Sequence, residues 1–153
     1  MEGARKLMIL LADDDADDTA MIRKAIEKSG VPNTVYAVAD GVELLDFLHH
    51  RGSYAPPTES PAPGIILLDL NMPRMDGHEA LAEIKADPEL RRIPVVVMTT
   101  SKAEQDVLRT YDLGGSSFIT KPVTASRLAE MMLVIGKYWC QVVKLPELSQ
   151  ETV

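Results

Sequence analysis

Residues 65–77 read IILLDLNMPRMDG. Ile65, Ile66, Leu67 and Leu68 run without a polar break into the carboxylate of Asp69, and a short apolar run with no alternation is the pattern of a strand buried on both faces. Behind the aspartate come Asn71, Pro73, Asp76 and Gly77, residues that favour turns over strand continuation. The stretch therefore predicts a buried parallel strand with a carboxylate held at its tip.

Further apolar segments of strand length stand at Leu7–Ala12, Val35–Val38, Pro94–Met98 and Ser117–Thr120. The first and fourth of the five strands share the missing alternation of the third, which implies a parallel sheet. Parallel neighbours need crossovers, and the intervening segments have helical periods. Met21, Ile22, Ala25 and Ile26 form one stripe, Leu44, Leu45 and Leu48 a second, and Ala80, Leu81 and Ile84 a third. Val107, Leu108 and Tyr111 give a less regular fourth, while Leu128, Met131, Met132, Ile135 and Trp139 follow a full amphipathic pattern. Five strands alternating with five helices predict an α/β, doubly wound sheet. Between the second helix and third strand, the proline-rich residues 51–64 (RGSYAPPTESPAPG) predict a surface loop at the end of the sheet away from the active edge. With no internal boundary, residues 1–145 are expected to form one domain with an extended last helix, and residues 146–153 a tail.

The chain's 153 residues suit one domain, and 46% apolar with 25% charged residues is ordinary for a soluble globular protein. A net charge of −7 and the lack of a basic cluster argue against a nucleic-acid or anionic-membrane partner. Cys140 is the only cysteine, which excludes an intramolecular disulfide and a cysteine-built zinc cluster and suits the cytoplasm. The opening MEGARKLMILLADDD imitates a signal peptide, but three aspartates stop its apolar run too early for export or for spanning a membrane.

Chemistry in such a sheet gathers at the C-terminal ends of the strands. There the sequence places Asp13, Asp14 and Asp15 after the first strand, Asp69 after the third, Thr99, Thr100 and Ser101 after the fourth, and Lys121 and Pro122 after the fifth. Carboxylates crowded together raise one another's pKa and call for a compensating cation. Mg²⁺ suits Asp13, Asp14, Asp69 and a backbone oxygen just past the third strand, because it binds through one or two carboxylates, carbonyls, waters and substrate phosphate. Lys121 adds a fixed positive charge and Thr99 a hydroxyl for phosphoryl oxygens. Asp69 can then act as a nucleophile that holds a phosphoryl group, rigidly placed by its strand.

The runs ILLADDD, IILLDLNMPRMDG and IPVVVMTTS and the dipeptide KP resemble, in order and spacing, the signature regions of bacterial two-component response-regulator receiver domains, over about residues 5 to 135. The proline-rich loop and the segment IGKYWCQVVKLP resemble the single-domain regulators that partner bacterial phytochrome kinases. The resemblance implies a flavodoxin-like sheet of strand order 2-1-3-4-5 and a phosphoacceptor signalling protein without turnover of external substrates. By position, Asp69 would accept phosphate from a sensor histidine kinase. Asp14 would bind Mg²⁺, or Mn²⁺ in its place, directly and Asp13 through water, with the carbonyl of Asn71 as a further ligand. Thr99 and Lys121 would contact the phosphoryl group, and Phe118 falls at the aromatic switch position. Many members have tyrosine there, and Thr100 replaces a common smaller residue.

The simpler alternatives are structural. DDDADD can cap the first helix, the role expected of Asp15, Asp17 and Asp18. Adjacent His49 and His50 point about 100° apart on a helix and are expected at the surface; His78 has no partner histidine and is given no role. The stripe through Tyr138, Trp139 and Val142 either packs on the protein's own core or meets a second chain in a homodimer. Of rival functions, a phosphatase of the haloacid dehalogenase type would find its D-x-D-x-T at Asp15, Asp17 and Thr19, two residues late and inside the first helix. A flavin-binding module would face repulsion between three aspartates and the flavin phosphate. The downstream partner is not legible in the sequence.

Overall fold

The computed structural model of the protein describes residues 7–30, 32–100, 103–121 and 124–137. Strands β1 (Leu7–Ala12), β2 (Asn33–Val38), β3 (Ile65–Leu68), β4 (Val95–Thr99) and β5 (Ser117–Thr120) alternate with helices α1 (Ala16–Ser29), α2 (Gly41–His49), α3 (Gly77–Ala86), α4 (Glu104–Asp112) and α5 (Ala125–Lys137). The sheet is parallel throughout, in the order β2-β1-β3-β4-β5, the expected flavodoxin-like arrangement. Two boundaries differ from the sequence expectation. Pairing of Leu7 with Asn33 draws β2 back to Asn33, and β4 starts after Pro94, whose carbonyl accepts from Ile66 N at 3.0 Å, and runs on to Thr99.

Successive side chains of a strand leave opposite faces of a sheet, so the unbroken apolar runs of β1 and β3 feed two separate cores. Leu10, Ile66 and Leu68 pack with Leu44, Phe47 and Leu81 beneath α2 and α3. Ile9, Leu11, Ile65 and Leu67 pack with Ile22 and Ile26 of α1, and Ala129 and Met131 of α5 lie against that layer. Deleting one of these fully buried side chains to alanine costs about 2–5 kcal/mol.

Three helices start on aspartate caps. The Asp15 carboxylate accepts from Asp17 N and Asp18 N, Asp40 from Glu43 N, and Asp76 with Glu79 completes a capping box. Helix α4 departs from expectation: Leu108 and Tyr111, read as part of an inward stripe, are 61% and 50% exposed, and among the described residues Thr110 is the one that helix buries. A nine-residue helix at the rim of the sheet covers little of the core, so its apolar stripe turns partly outward.

Residues 51–64 form a loop at the N-terminal end of β3, as expected, but the loop is tied down. Tyr54 packs edge-on against Phe47 at 5.0 Å and donates to Glu43, and buried Ser60 hydrogen-bonds His50 Nδ1 at 2.7 Å. His49 and His50 are exposed as expected. His78, left without a role in the sequence reading, is buried with Nε2 3.0 Å from Thr110 Oγ1, joining α3 to α4. Tyr138, Trp139, Val142 and the tail 146–153 lie outside the described residues. No helix among the described residues is long and apolar enough to cross a membrane.

Candidate functional site

Parallel register brings the strand ends together. Ala12 lies beside Leu68, Leu68 beside Val97 and Thr99 beside Thr120, so the residues that follow share one edge. Backbone bonds hold them there: Asp69 N donates to Ala12 O at 2.9 Å, Asp13 N to Val38 O at 3.1 Å, and Lys121 N to Thr99 O at 2.6 Å. Asp13, Asp69, Thr99 and Lys121 are all buried, while Asp14 is exposed.

Oxygens of Asp13, Asp14 and Asp69 all lie within 4.8 Å of one another. The Lys121 ammonium sits 2.7 Å from Asp13 Oδ2 and 2.9 Å from Asp18 Oδ2. Burial raises the pKa of Asp69 above the usual carboxylate range; Lys121 opposes the shift, Asp13 adds to it, and hydrogen bonds from Thr99 and the Asn71 backbone offset part of it. Burial alone would lower the pKa of Lys121, but Asp13 and Asp18 outweigh it and hold the ammonium above its ordinary value. Three clustered carboxylates with one lysine leave an excess of negative charge and a set of hard oxygen donors, which fits a small divalent cation. Residues Asp13, Asp14, Asp69 and the neighbouring Asn71 would hold it.

The loop behind Asp69 folds back tightly. Gly77 N donates to Leu70 O at 2.9 Å, and a Cβ on Gly77 would overlap the Asp69 carbonyl oxygen and lie 2.7 Å from Leu70 Cα. Arg74, with φ 66°, sits in the left-handed region and forks onto Asp40 with bonds of 2.9 and 3.1 Å. Met75 O accepts from Gly41 N at 3.0 Å. These contacts dock the loop carrying Asn71 onto the start of α2. The Asn71 side chain lies 3.5 Å from Thr99 Oγ1, a long contact that spans the gap between the ends of β3 and β4.

Asp13, Asp14, Asp69, Asn71, Thr99 and Lys121 thus converge at this edge, whereas Phe118 lies back along β5. Phe118, half-buried beside Val97 in β5, lies on the opposite face of the sheet from Ile119, which packs with the α1/α5 layer. Thr100 is exposed at the end of β4. Asp15 does cap α1, and its carboxylate is occupied by Asp17 N and Asp18 N at 2.8 and 3.0 Å, which leaves the D-x-D-x-T string a helix start. The reading of Asp18 as a cap is corrected: its carboxylate accepts from Lys121, whose side chain reaches back from the end of β5 to the first turn of α1. Asp18, Asp40 and Arg74 were not recognised as parts of this edge, and nothing in their local sequence marks contacts made so far along the chain.

A family model described as the response regulator receiver domain matches residues 9–133. Response regulator Rcp1 of Synechocystis sp. is 40% identical over 139 residues, which span 91% of this chain and 92% of that protein. A crystal structure of the phosphorylated cyanobacterial phytochrome response regulator RcpA superposes with a TM-score of 0.84 at 41% identity, covering 94% of this chain and 100% of the other. The Mn²⁺-bound form of Rcp1 gives a TM-score of 0.82 at 39% identity over 92% and 99% of the two chains. With a receiver sheet, an acidic edge and matches over nearly its full length, the chain belongs to the response regulator receiver family.

Proposed function

We propose that this protein is a single-domain response regulator that takes a phosphoryl group from a sensor histidine kinase onto Asp69 and signals through phosphorylation-dependent protein contacts. The observation that carries the reading is the buried Asp69 carboxylate clustered within 4.8 Å of Asp13 and Asp14, with Lys121 anchored on the same edge. An Asp69 oxygen forms the new bond to phosphorus as the bond to the kinase histidine nitrogen breaks, and that nitrogen leaves with the bonding pair and takes up a proton from solvent. Bound Mg²⁺, or Mn²⁺ in its place, would neutralise phosphoryl oxygens and offset repulsion among the carboxylates. Lys121 and Thr99 meet the remaining phosphoryl oxygens, and the strand holds Asp69 in line. Names of the relatives, which include phytochrome response regulators, support a bacterial phytochrome as the kinase. A cytoplasmic location follows from that pairing.

Phosphorylation adds about −1.5 to −2 charges. Thr99 and Lys121 end the two strands that flank α4, so their movement toward the phosphoryl group would shift α4 and the rotamer of Phe118. The face available for output supports self-association: α4 exposes Leu108 and Tyr111, and Ile119, Met131 and Val134 line a groove of about 350 Å³ beside α5. Tyr138, Trp139 and Val142 would extend that patch in a homodimer. The protein does not turn over external phosphate esters in this reading, and repeated hydrolysis of a chromogenic ester would favour the phosphatase alternative.

Acetyl phosphate labelling, followed by phosphate-affinity electrophoresis, tests the proposal. Label is expected with Mg²⁺ or Mn²⁺, none in EDTA and none in Asp69→Asn; label retained in the variant would overturn it. Sedimentation of wild type and Tyr138→Glu/Trp139→Glu at tens of micromolar, with and without a phosphate mimic, tests the dimer.

A further inference from the structure

Lys121 has more anionic company than its role at a phosphoryl group requires. Its buried ammonium is clasped by two carboxylates, Asp13 Oδ2 at 2.7 Å and Asp18 Oδ2 at 2.9 Å. Asp13 belongs to the cation cluster, whereas Asp18 stands outside it on the first turn of α1. The two acids also differ in burial: the Asp13 side chain is 2% exposed and that of Asp18 32%.

We propose that Asp18 is a positioning residue for Lys121, sharing the ammonium with Asp13 so that its charge does not rest wholly on the Asp13, Asp14 and Asp69 carboxylates and a divalent cation can enter among them. The inference rests on the cation reading of the preceding section. A lysine and a divalent cation at this edge compete for the oxygens of Asp13. One Asp13 oxygen already accepts from Asp15 N at 3.0 Å, and the other is held by Lys121. With no second anchor the lysine's positive charge would settle wholly on Asp13 and Asp69, neutralising the donors a cation needs and repelling it directly. Asp18 offers an anchor on the far side of the lysine. Being partly exposed, Asp18 takes this place at smaller desolvation cost than a fully buried acid would. Its placement is fixed as well, since its backbone N–H is tied to the Asp15 carboxylate at 3.0 Å. Lys121 thereby divides its hydrogen bonds between Asp13 and Asp18, which leaves less of its charge on the cation's ligands.

The test is Mn²⁺ titration of the full chain, with free ion read by electron paramagnetic resonance, so that no phosphotransfer is involved. Asp18→Asn is expected to weaken Mn²⁺ binding about fivefold, the size of a partly buried charge-pair effect. Asp18→Glu, which keeps the anion, should stay within about twofold of wild type. Asp17→Asn removes the same charge from the same turn at an exposed residue and should also leave the affinity within about twofold. In a Lys121→Met background the effect of Asp18→Asn should vanish, as a double-mutant cycle requires of a residue acting through the lysine. Equal affinities for wild type and Asp18→Asn, or equal losses in Asp17→Asn and Asp18→Asn, would overturn the inference whether or not Lys121→Met folds. A wild type that binds no Mn²⁺ would overturn the cation reading itself, and this inference with it.

Discussion

Gly77→Ala is the substitution whose outcome the structure constrains most closely. Alanine in place of glycine at the start of a helix ordinarily stabilises a protein by about 0.4–1 kcal/mol, because the unfolded chain loses freedom. Here the added methyl group would overlap the Asp69 carbonyl oxygen and lie 2.7 Å from Leu70 Cα and 3.1 Å from Asp69 C. All three are backbone atoms of the segment that carries Asp69, and no flexible side chain can give way. Overpacking of this kind costs about 1–3 kcal/mol, so the clash wins and the net loss is about 1–2 kcal/mol. For a chain of this size that lowers the thermal midpoint by about 3–6 °C. The displaced Asp69 should take phosphate from acetyl phosphate at least about tenfold more slowly, since misplacing a reacting group by a fraction of an ångström is costly. Gly30→Ala is the comparison: its φ of 76° makes alanine strained, but nothing lies within 4 Å of the new methyl group. It should lose about 1 kcal/mol and be labelled at the wild-type rate. Calorimetry and labelling of the two variants decide; a Gly77→Ala protein with a raised midpoint and unchanged labelling would refute the tight fold-back of this loop.

Three further outcomes follow from the charges. Because burial raises the folded pKa of Asp69, the acid favours the folded state below the usual carboxylate range and loses that advantage as pH rises through the folded value; Asp69→Asn in EDTA should melt above wild type at pH near 7, with the gain shrinking toward about pH 4, and a variant that melts lower throughout would contradict this. Burial pushes Asp40 up, but bonds from Arg74 and the Glu43 and Val42 backbones pull its pKa below the usual range, so its stabilisation is present above the unfolded pKa and lost as pH falls through the folded one. Asp40→Asn should therefore melt below wild type at neutral pH, with the two curves meeting in acid; a constant gap would deny the Arg74 pairing its charge. Asp14→Ala should abolish Mn²⁺ binding at the edge with little change in melting temperature, since Asp14 is exposed, and calorimetric titration that finds unchanged binding would move the cation elsewhere.

What the sequence makes legible is what local pattern determines. The runs at Leu7–Ala12 and Ile65–Leu68 identify themselves because both faces of those strands are covered, and the polar residue that ends each run becomes a site residue by position. The stripes of α2 and α3 are equally plain, with Leu44, Leu45, Leu48, Ala80, Leu81 and Ile84 all buried. Helix α4 misleads, because Leu108 and Tyr111 are apolar yet exposed, outside the core of this chain. Asp18 and Arg74 are invisible for another reason. Asp18 meets Lys121 across 103 positions and Arg74 meets Asp40 across 34, and a charged residue on a first helical turn or in a loop looks the same whether its partner is water or a distant side chain. Such contacts become readable only once strand order is known, because it is the parallel order β2-β1-β3-β4-β5 that sets the residues after β1 and β5 on one edge, where the long Lys121 side chain reaches Asp18.

That order also divides the molecule into unequal halves. Around β1 and β3 the strands are buried almost throughout, and the loop behind Asp69 is clamped by Arg74 to Asp40 and by Gly41 to Met75. At the other side β5 is half-buried along most of its length, and α4 buries little beyond Thr110. Segments with few buried contacts open at lower free energy than a packed core. Asp69, the proposed phosphoacceptor, and the acids that would hold a cation belong to the rigid half, so charge added there would do little to deform its own surroundings. Thr99 and Lys121 stand at the boundary, the Lys121 N–H bonded to Thr99 O at 2.6 Å and the lysine side chain reaching back to Asp13 and Asp18. On the proposed function, a rearrangement of these two residues around a phosphoryl group would therefore bear on β5 and α4, the less buried elements, of which α4 presents Leu108 and Tyr111 to solvent. Close packing around Asp69 and looser packing at the outer face are two consequences of one packing gradient, and together they would give a local change of charge a direction in which to act.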